Sequence, residues 1–262
     1  MRGRSSLGTV AIAVFVASGC GSASPDPKMT ATYENASSGQ AIAGRSMMKR
    51  THLLENLADK VNGTLKLPQD IALVGAQCGE PNAFWSFAEK KITMCYEDAN
   101  LSLRSFKEAG DTDPIPAAVN ATRATMYHEL AHAAIDFGGL PITGKEEDAA
   151  DQLVVYLFLA PDENGNVEPG AEEAVRDYAR MFEHYAESQG DLSEQDLADK
   201  HAPDQARMYN MLCWMYGSDP AKFDRLVTSG ELPKNRSTGC EEEYKLLARS
   251  WSELFAPFEK PA

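Results

Sequence analysis

Met126-Tyr127-His128-Glu129-Leu130-Ala131-His132 is the stretch on which the reading of this chain turns. Taken as helix, it sets His128 and His132 one turn apart on a single face, as residues four apart are. Two imidazoles so placed can grip one Zn²⁺. Glu129 beside them can hold and deprotonate a water on that metal. A catalytic zinc needs a third protein ligand and an open position, so the remainder of the chain must supply one more donor.

Composition limits the options. With 262 residues and 43% hydrophobic content, the chain can fill the core of one domain or of two tightly joined lobes. Lys and Arg number 25 against 39 Asp and Glu, a net charge of −14. Residues 1–19 hold Arg2 and Arg4 and no acid, so a chain starting at Cys20 carries 23 − 39 = −16. Such a surface is a poor partner for nucleic acid or anionic lipid headgroups, and it doubles as an ordinary solubility device.

The N-terminus reads as a targeting segment. Arg2 and Arg4 precede an apolar run, Leu7 to Val16, that is too short to span a bilayer. Small residues then lead to a cysteine in Val16-Ala17-Ser18-Gly19-Cys20, which resembles a bacterial lipoprotein signal with Cys20 as the lipidated first residue. An ordinary secretory signal cut near Ala23 is the alternative. The expected organisation is thus a signal peptide over 1–19, a flexible tether over 20–40 and one domain over 41–262. Export and a lipid anchor put the domain in the cell envelope, in the periplasm or at the cell surface.

Without Cys20, four cysteines remain: Cys78, Cys95, Cys213 and Cys240. An even number in an oxidising compartment favours two disulfides over a thiolate metal site. Of three possible connectivities, the local pairs Cys78–Cys95 and Cys213–Cys240 are expected, each closing a short loop in its own part of the chain.

The apolar spacing of Met47, Met48, Leu53, Leu54, Leu57 and Val61 predicts one helix over 41–61, ended by Asn62-Gly63. Strands are expected over 67–77, 83–87 and 91–96. Asp113 and Pro114 then open the helix of the two histidines, which Gly138-Gly139 should stop. A second helix follows, with Thr143 and Glu146 as a capping box and Pro161 beyond its end. Further helices are expected over 171–188, 203–216, 220–228 and 241–255. The acidic loop 162–166 reads as a solvated turn, since Val167 stands where a calcium loop needs Gly. The fold class is α+β: a small N-terminal sheet with the metal-binding helix, then a mainly helical C-terminal part.

The second helix brings the missing donor. Within Glu146-Glu147-Asp148-Ala149-Ala150-Asp151, Glu147 and Asp151 lie four apart on one face. Together with His128-Glu129-x-x-His132, the HExxH motif of zinc metallopeptidases, this resembles the gluzincin pattern. That resemblance implies that His128, His132 and Glu147 bind zinc. It also implies that Asp151 accepts a hydrogen bond from the far nitrogen of His128. Glu146 and Asp148, on other faces, are expected to be solvated or to cap the helix.

The likeness reaches further. Cys78-Gly79-Glu80 with Asn82-Ala83-Phe84, Cys95-Tyr96-Glu97, both metal motifs, and His201 through Gln205-Ala206-Arg207 to Asn210, Cys213 and Tyr216-Gly217 resemble a bacterial family of metallopeptidases of unknown function. The match covers roughly residues 45–255 and implies a zincin fold holding zinc. The function so implied is hydrolysis of peptide bonds in a peptide or protein substrate. Glu129 would be the general base, and His201, Arg207 or Tyr127, His201 first, would stabilise the oxyanion. The strand at 82–87 is a candidate edge for an extended peptide, and Trp85, Trp214 and Trp251 read as packing residues. Two other functions fit the same residues: an inactive metal-binding or scaffolding envelope lipoprotein, and a hydrolase of a non-peptide amide of the cell wall.

Overall fold

The computed structural model describes residues 26–162 and 164–260. The signal segment, Cys20 and residues 21–25 of the expected tether lie outside that range. Four strands, β1 Met29–Tyr33, β2 Ile71–Ala76, β3 Ala83–Ser86 and β4 Lys91–Cys95, form one mixed sheet in the order β1-β2-β4-β3. β1, β2 and β4 run parallel, and β3 lies antiparallel to β4 at the edge. Around and after the sheet come α1 Gly39–Arg50, α2 Leu53–Thr64, α3 Tyr96–Glu108, α4 Ile115–Gly138, α5 Glu146–Leu159, α6 Ala171–Gln189, α7 Glu194–Ala198, α8 Asp204–Ser218, α9 Asp224–Thr228, α10 Lys234–Ser237 and α11 Cys240–Phe255. This is the expected α+β arrangement.

α4 runs through the middle of it. Asp113 Oδ1 accepts the Ile115 N–H at 3.1 Å, Pro116 occupies the first turn, where its missing N–H costs nothing, and Gly139 closes the helix in the left-handed conformation at φ 57°. Ala117, Ala118, Ala121, Ala124, Ala131 and Ala134 keep it slim and are buried, so α3, α5 and α6 can pack closely around it. Its two histidines therefore stand on a rod fixed on several sides.

Several sequence-based boundaries change: α7 and α10 were not expected, and α9 begins at Asp224 and not at 220. Residues 29–33, assigned to the tether, form β1, with Met29 in the core and Asn62 bonding its backbone at both ends (2.7 and 2.9 Å). The ordered domain therefore begins well before residue 41. The helix expected over 41–61 is two helices, broken at His52 (φ 51°), where the Tyr33 hydroxyl accepts the Leu54 N–H and donates to Glu55. α3 was not anticipated, because it buries Glu97, Asp98, Asn100, Ser102 and Ser105, residue types that read as solvated in the sequence. The Thr143–Glu146 box does not form: Lys145 caps α5 and makes no side-chain cap bond.

Both local disulfides are present. Cys78–Cys95 ties the chain just past β2 to the end of β4, and Glu97 accepts the Cys78 and Gly79 N–H groups at 3.0 Å each. Cys213–Cys240 joins α8 to α11. A Cβ on Gly217 would stand 2.1 Å from the Cys240 carbonyl oxygen, so only glycine allows that approach. Beyond α5, Asp162 Oδ1 accepts the Asn164 and Asn166 N–H groups.

Candidate metal centre

The turn after Gly139 folds α5 back beside α4, and three groups from the two helices meet. His128 and His132 face one another with ring centroids 4.9 Å apart. Their Nε2 atoms are separated by 3.2 Å, and Glu147 Oε2 lies 3.1 Å from the first and 3.3 Å from the second. Ligand atoms about 2.0–2.1 Å from one ion at tetrahedral angles stand roughly 3.3–3.4 Å apart, so the three atoms already have the spacing of a coordination sphere.

The outer nitrogens decide which lone pairs point inward. His128 Nδ1 is 2.8 Å from Asp151 Oδ1, and His132 Nδ1 is 2.6 Å from Glu146 Oε1. Carboxylates can only accept, so each Nδ1 carries a proton, and Nε2 is the nitrogen that each ring turns toward Glu147. Burial opposes a charge on His128, yet Asp151 and Glu147 outweigh it and push its pKa up to about 9. Burial would raise Glu147 too, but His128, His132, His201 and Lys200 hold its carboxyl far below the usual range. A metal cation that displaces the Nε2 protons would meet two imidazole lone pairs and one carboxylate at a single point. The donor set fits zinc: two imidazoles and one carboxylate, with no thiolate.

Glu129 sits next to this cluster, 7% exposed, in a cleft of about 580 Å³ lined by Asn82, Ala83, Trp85, His128, His132 and His201. Burial raises its pKa, against the opposing pull of His128, His132 and the Trp85 backbone. A shift in that direction strengthens a carboxylate as a proton acceptor. The cleft's other wall is β3. Cys95 N–H donates to Asn82 O (3.2 Å), and antiparallel pairs alternate, so Ala83 and Trp85 turn their backbone groups away from β4. The outward backbone groups of Ala83 and Trp85 thus face the side of the two histidines, and that of Trp85 reaches Glu129.

His201 also arrives, from the loop before α8. Its Nε2 is 3.0 Å from Glu147 Oε2 and its Nδ1 3.0 Å from Asp199 Oδ1. His128, Glu147 and His201 form a second trio of donors within 4.8 Å of one another. The trio with His132 is the better candidate sphere, since both its imidazoles are largely buried while His201 is more than a third exposed.

Several sequence assignments change. Tyr127 points to the opposite side of α4, edge-on to Phe158, beside a separate cavity of about 650 Å³ that holds none of the clustered histidines. Arg207 does not reach the cleft; it forks onto Asp151 at 2.8 Å by two bonds. Neither can meet an oxyanion there. Trp85 packs against the margin of the core, edge-on to Phe137, and also lines the cleft, where its indole N–H donates to Asp136 (2.6 Å). Trp214 and Trp251 are buried packing residues, as expected. Glu146, expected to be solvated, orients His132.

Two lysines went unmarked in the sequence. Lys200 pairs with Glu147 Oε1 at 2.5 Å, and Lys145 donates to the Asp199 carbonyl at 2.9 Å, pinning the His201 loop. Only their adjacency to His201 and Glu146 could have marked them.

Residues 33–255 match the family described as "Putative metallopeptidase". No curated protein and no solved structure matches the chain. The match spans most of the sequence and includes every residue of the cluster, so the chain belongs to this metallopeptidase family.

Proposed function

We propose that the chain is a zinc-dependent peptidase in which His128, His132 and Glu147 hold the metal and Glu129 is the general base. The observation that carries this reading is the set of 3.1–3.3 Å separations among two inward Nε2 atoms and one carboxylate oxygen, with Glu129 in the same cleft. Zinc bound there would supply Lewis acidity and a water of lowered pKa.

The chain's own residues do the rest. An extended peptide pairs its backbone with the outward groups of Ala83 and Trp85, which sets its carbonyl across the cleft. Exposed Phe84 and Phe87, on or just beyond that strand, offer apolar contacts to its side chains. Glu129 takes a proton from the attacking water and delivers it to the departing amine nitrogen. His201, steadied by Asp199, is assigned the donor to the developing oxyanion. Asp151 and Glu146 keep the two imidazoles in the tautomer that presents Nε2 inward.

Replacing Glu129 with Gln tests this. The variant should keep one equivalent of zinc while hydrolysis of an unfolded protein falls by about 10²–10⁴-fold. Hydrolysis at the parent rate would remove Glu129 from the mechanism.

A second reading, a zinc-binding envelope protein without activity, draws support from one contact. His201 Nε2, 3.0 Å from Glu147 Oε2, is near enough to serve as a fourth protein donor and close the site. Stoichiometric zinc with no cleavage of any unfolded protein or peptide would favour it. From the sequence alone we further propose that Cys20 is lipidated and anchors the domain in the envelope. Mass spectrometry of the purified N-terminal peptide, which should carry a diacylglyceryl group on that cysteine, decides that point.

A further inference from the structure

We propose that Arg207 is a positioning residue of the metal centre, so that the site is built by three helices and not two. The inference rests on the zinc reading above and concerns a residue 56 positions beyond Asp151, on α8. Its Nε donates to Asp151 Oδ2 and its Nη2 to Asp151 Oδ1, both at 2.8 Å, with the side chains 11% and 4% exposed. Asp151 Oδ1 also receives the His128 Nδ1–H at 2.8 Å. The chain of contacts therefore runs from the guanidinium through one carboxylate to the imidazole whose other nitrogen faces Glu147.

The geometry assigns Arg207 two tasks. First, it supplies the counter-charge without which a carboxylate this deeply buried is costly. Second, a carboxylate held by one imidazole can still pivot about its Cβ–Cγ bond, whereas two parallel N–H bonds fix its plane. The plane of Asp151 in turn fixes the direction of the His128 ring.

Arg207 is itself held. Its guanidinium carbon lies 4.0 Å over the ring of Phe182 on α6, and α8 is tied to α11 by Cys213–Cys240. A lysine cannot reproduce the fork, although it keeps the charge. Nothing else in the chain offers Asp151 a second donor among the described residues.

The test is zinc affinity by chelator competition in the parent, Arg207→Met, Arg207→Lys, Asp151→Asn and the Asp151→Asn/Arg207→Met double variant, together with the visible spectrum after cobalt substitution. Arg207→Met should bind zinc about 10–100-fold more weakly and shift the cobalt bands. Arg207→Lys, which keeps charge and burial and guards against a fold lost in the Met variant, should fall between Arg207→Met and the parent. If Arg207 acts through Asp151, the double variant should be no weaker than Asp151→Asn alone. A merely structural arginine would lower the melting temperature and leave the zinc affinity and cobalt bands unchanged. Parent-like affinity in both Arg207 variants, or losses that add in full in the double variant, overturns the proposal. A parent that takes up no zinc overturns the zinc reading, and this inference with it.

Discussion

Each metal-centre side chain has a role set by its partner. His128 is held by Asp151, which is 4% exposed, while His132 is held by Glu146, which is 49% exposed. Water can replace a lost exposed partner far more readily than a buried one. Glu146→Gln should therefore weaken zinc binding by less than tenfold, and Asp151→Asn by more, as read by chelator competition. Equal losses would mean that exposure does not govern the support of these imidazoles. At this scale the sequence was informative about ligands and poor about their supports. Helical spacing alone sets His128 with His132 and Glu147 with Asp151. The pairing of Glu146 with His132, or of Arg207 with Asp151, depends on how two helices are rotated against each other, and no local pattern records that. Tyr127 was misjudged for a related reason: its neighbour His128 faces the cleft, and adjacent residues on a helix point about 100° apart.

At the scale of elements, tight approaches and cross-links hold the site's supports. Cys78–Cys95 closes a loop of 17 residues between β2 and β4, the strand that carries the cleft's edge strand. Loop entropy makes such a link worth about 3 kcal/mol. Replacing both cysteines with Ala should lower the melting temperature by roughly 6–12 °C, at about 2–4 °C per kcal/mol for a domain of this size. An unchanged melting temperature would show that the link carries no stability. Gly217→Ala drives a methyl group against the Cys240 carbonyl and should cost about 1–3 kcal/mol. Urea unfolding monitored by circular dichroism reads that loss; a parent-like midpoint would mean that α8 and α11 can separate without penalty. α6 and α11 were legible from a clean apolar period, and α4 and α5 from the proline and glycine signals at their ends. α3 was not, because its buried face is polar. β1 was hidden because its parallel partner lies some 42 residues away and five residues give little alternation to read. The break at His52 leaves the apolar spacing of α1 and α2 almost in phase, so a single helix fitted equally well.

Across the whole molecule, buried carboxyls set how stability depends on pH. Burial, assisted by the charge on Glu129, raises Asp98 to about 7, and its Oδ2 has no hydrogen-bond partner. An acid whose folded pKa exceeds its unfolded value near 3.8 contributes stability below that value and loses it as pH rises through about 7. Asp151, held at about 2, behaves oppositely: its contribution is present above pH 4 and lost as pH falls through about 2. Melting temperature should therefore decline from pH 5 to pH 8 in the parent, and Asp98→Asn should flatten that decline. An identical slope in the variant would exclude Asp98 as its source. The central claim remains that α4 and α5 bring two imidazoles and one carboxylate to a single zinc ion. X-ray absorption at the zinc edge of the loaded protein tests it most directly. The account expects about four nitrogen or oxygen scatterers near 2.0–2.1 Å, two of them imidazole. Sulfur at about 2.3 Å, or a zinc surrounded only by oxygen, would contradict it.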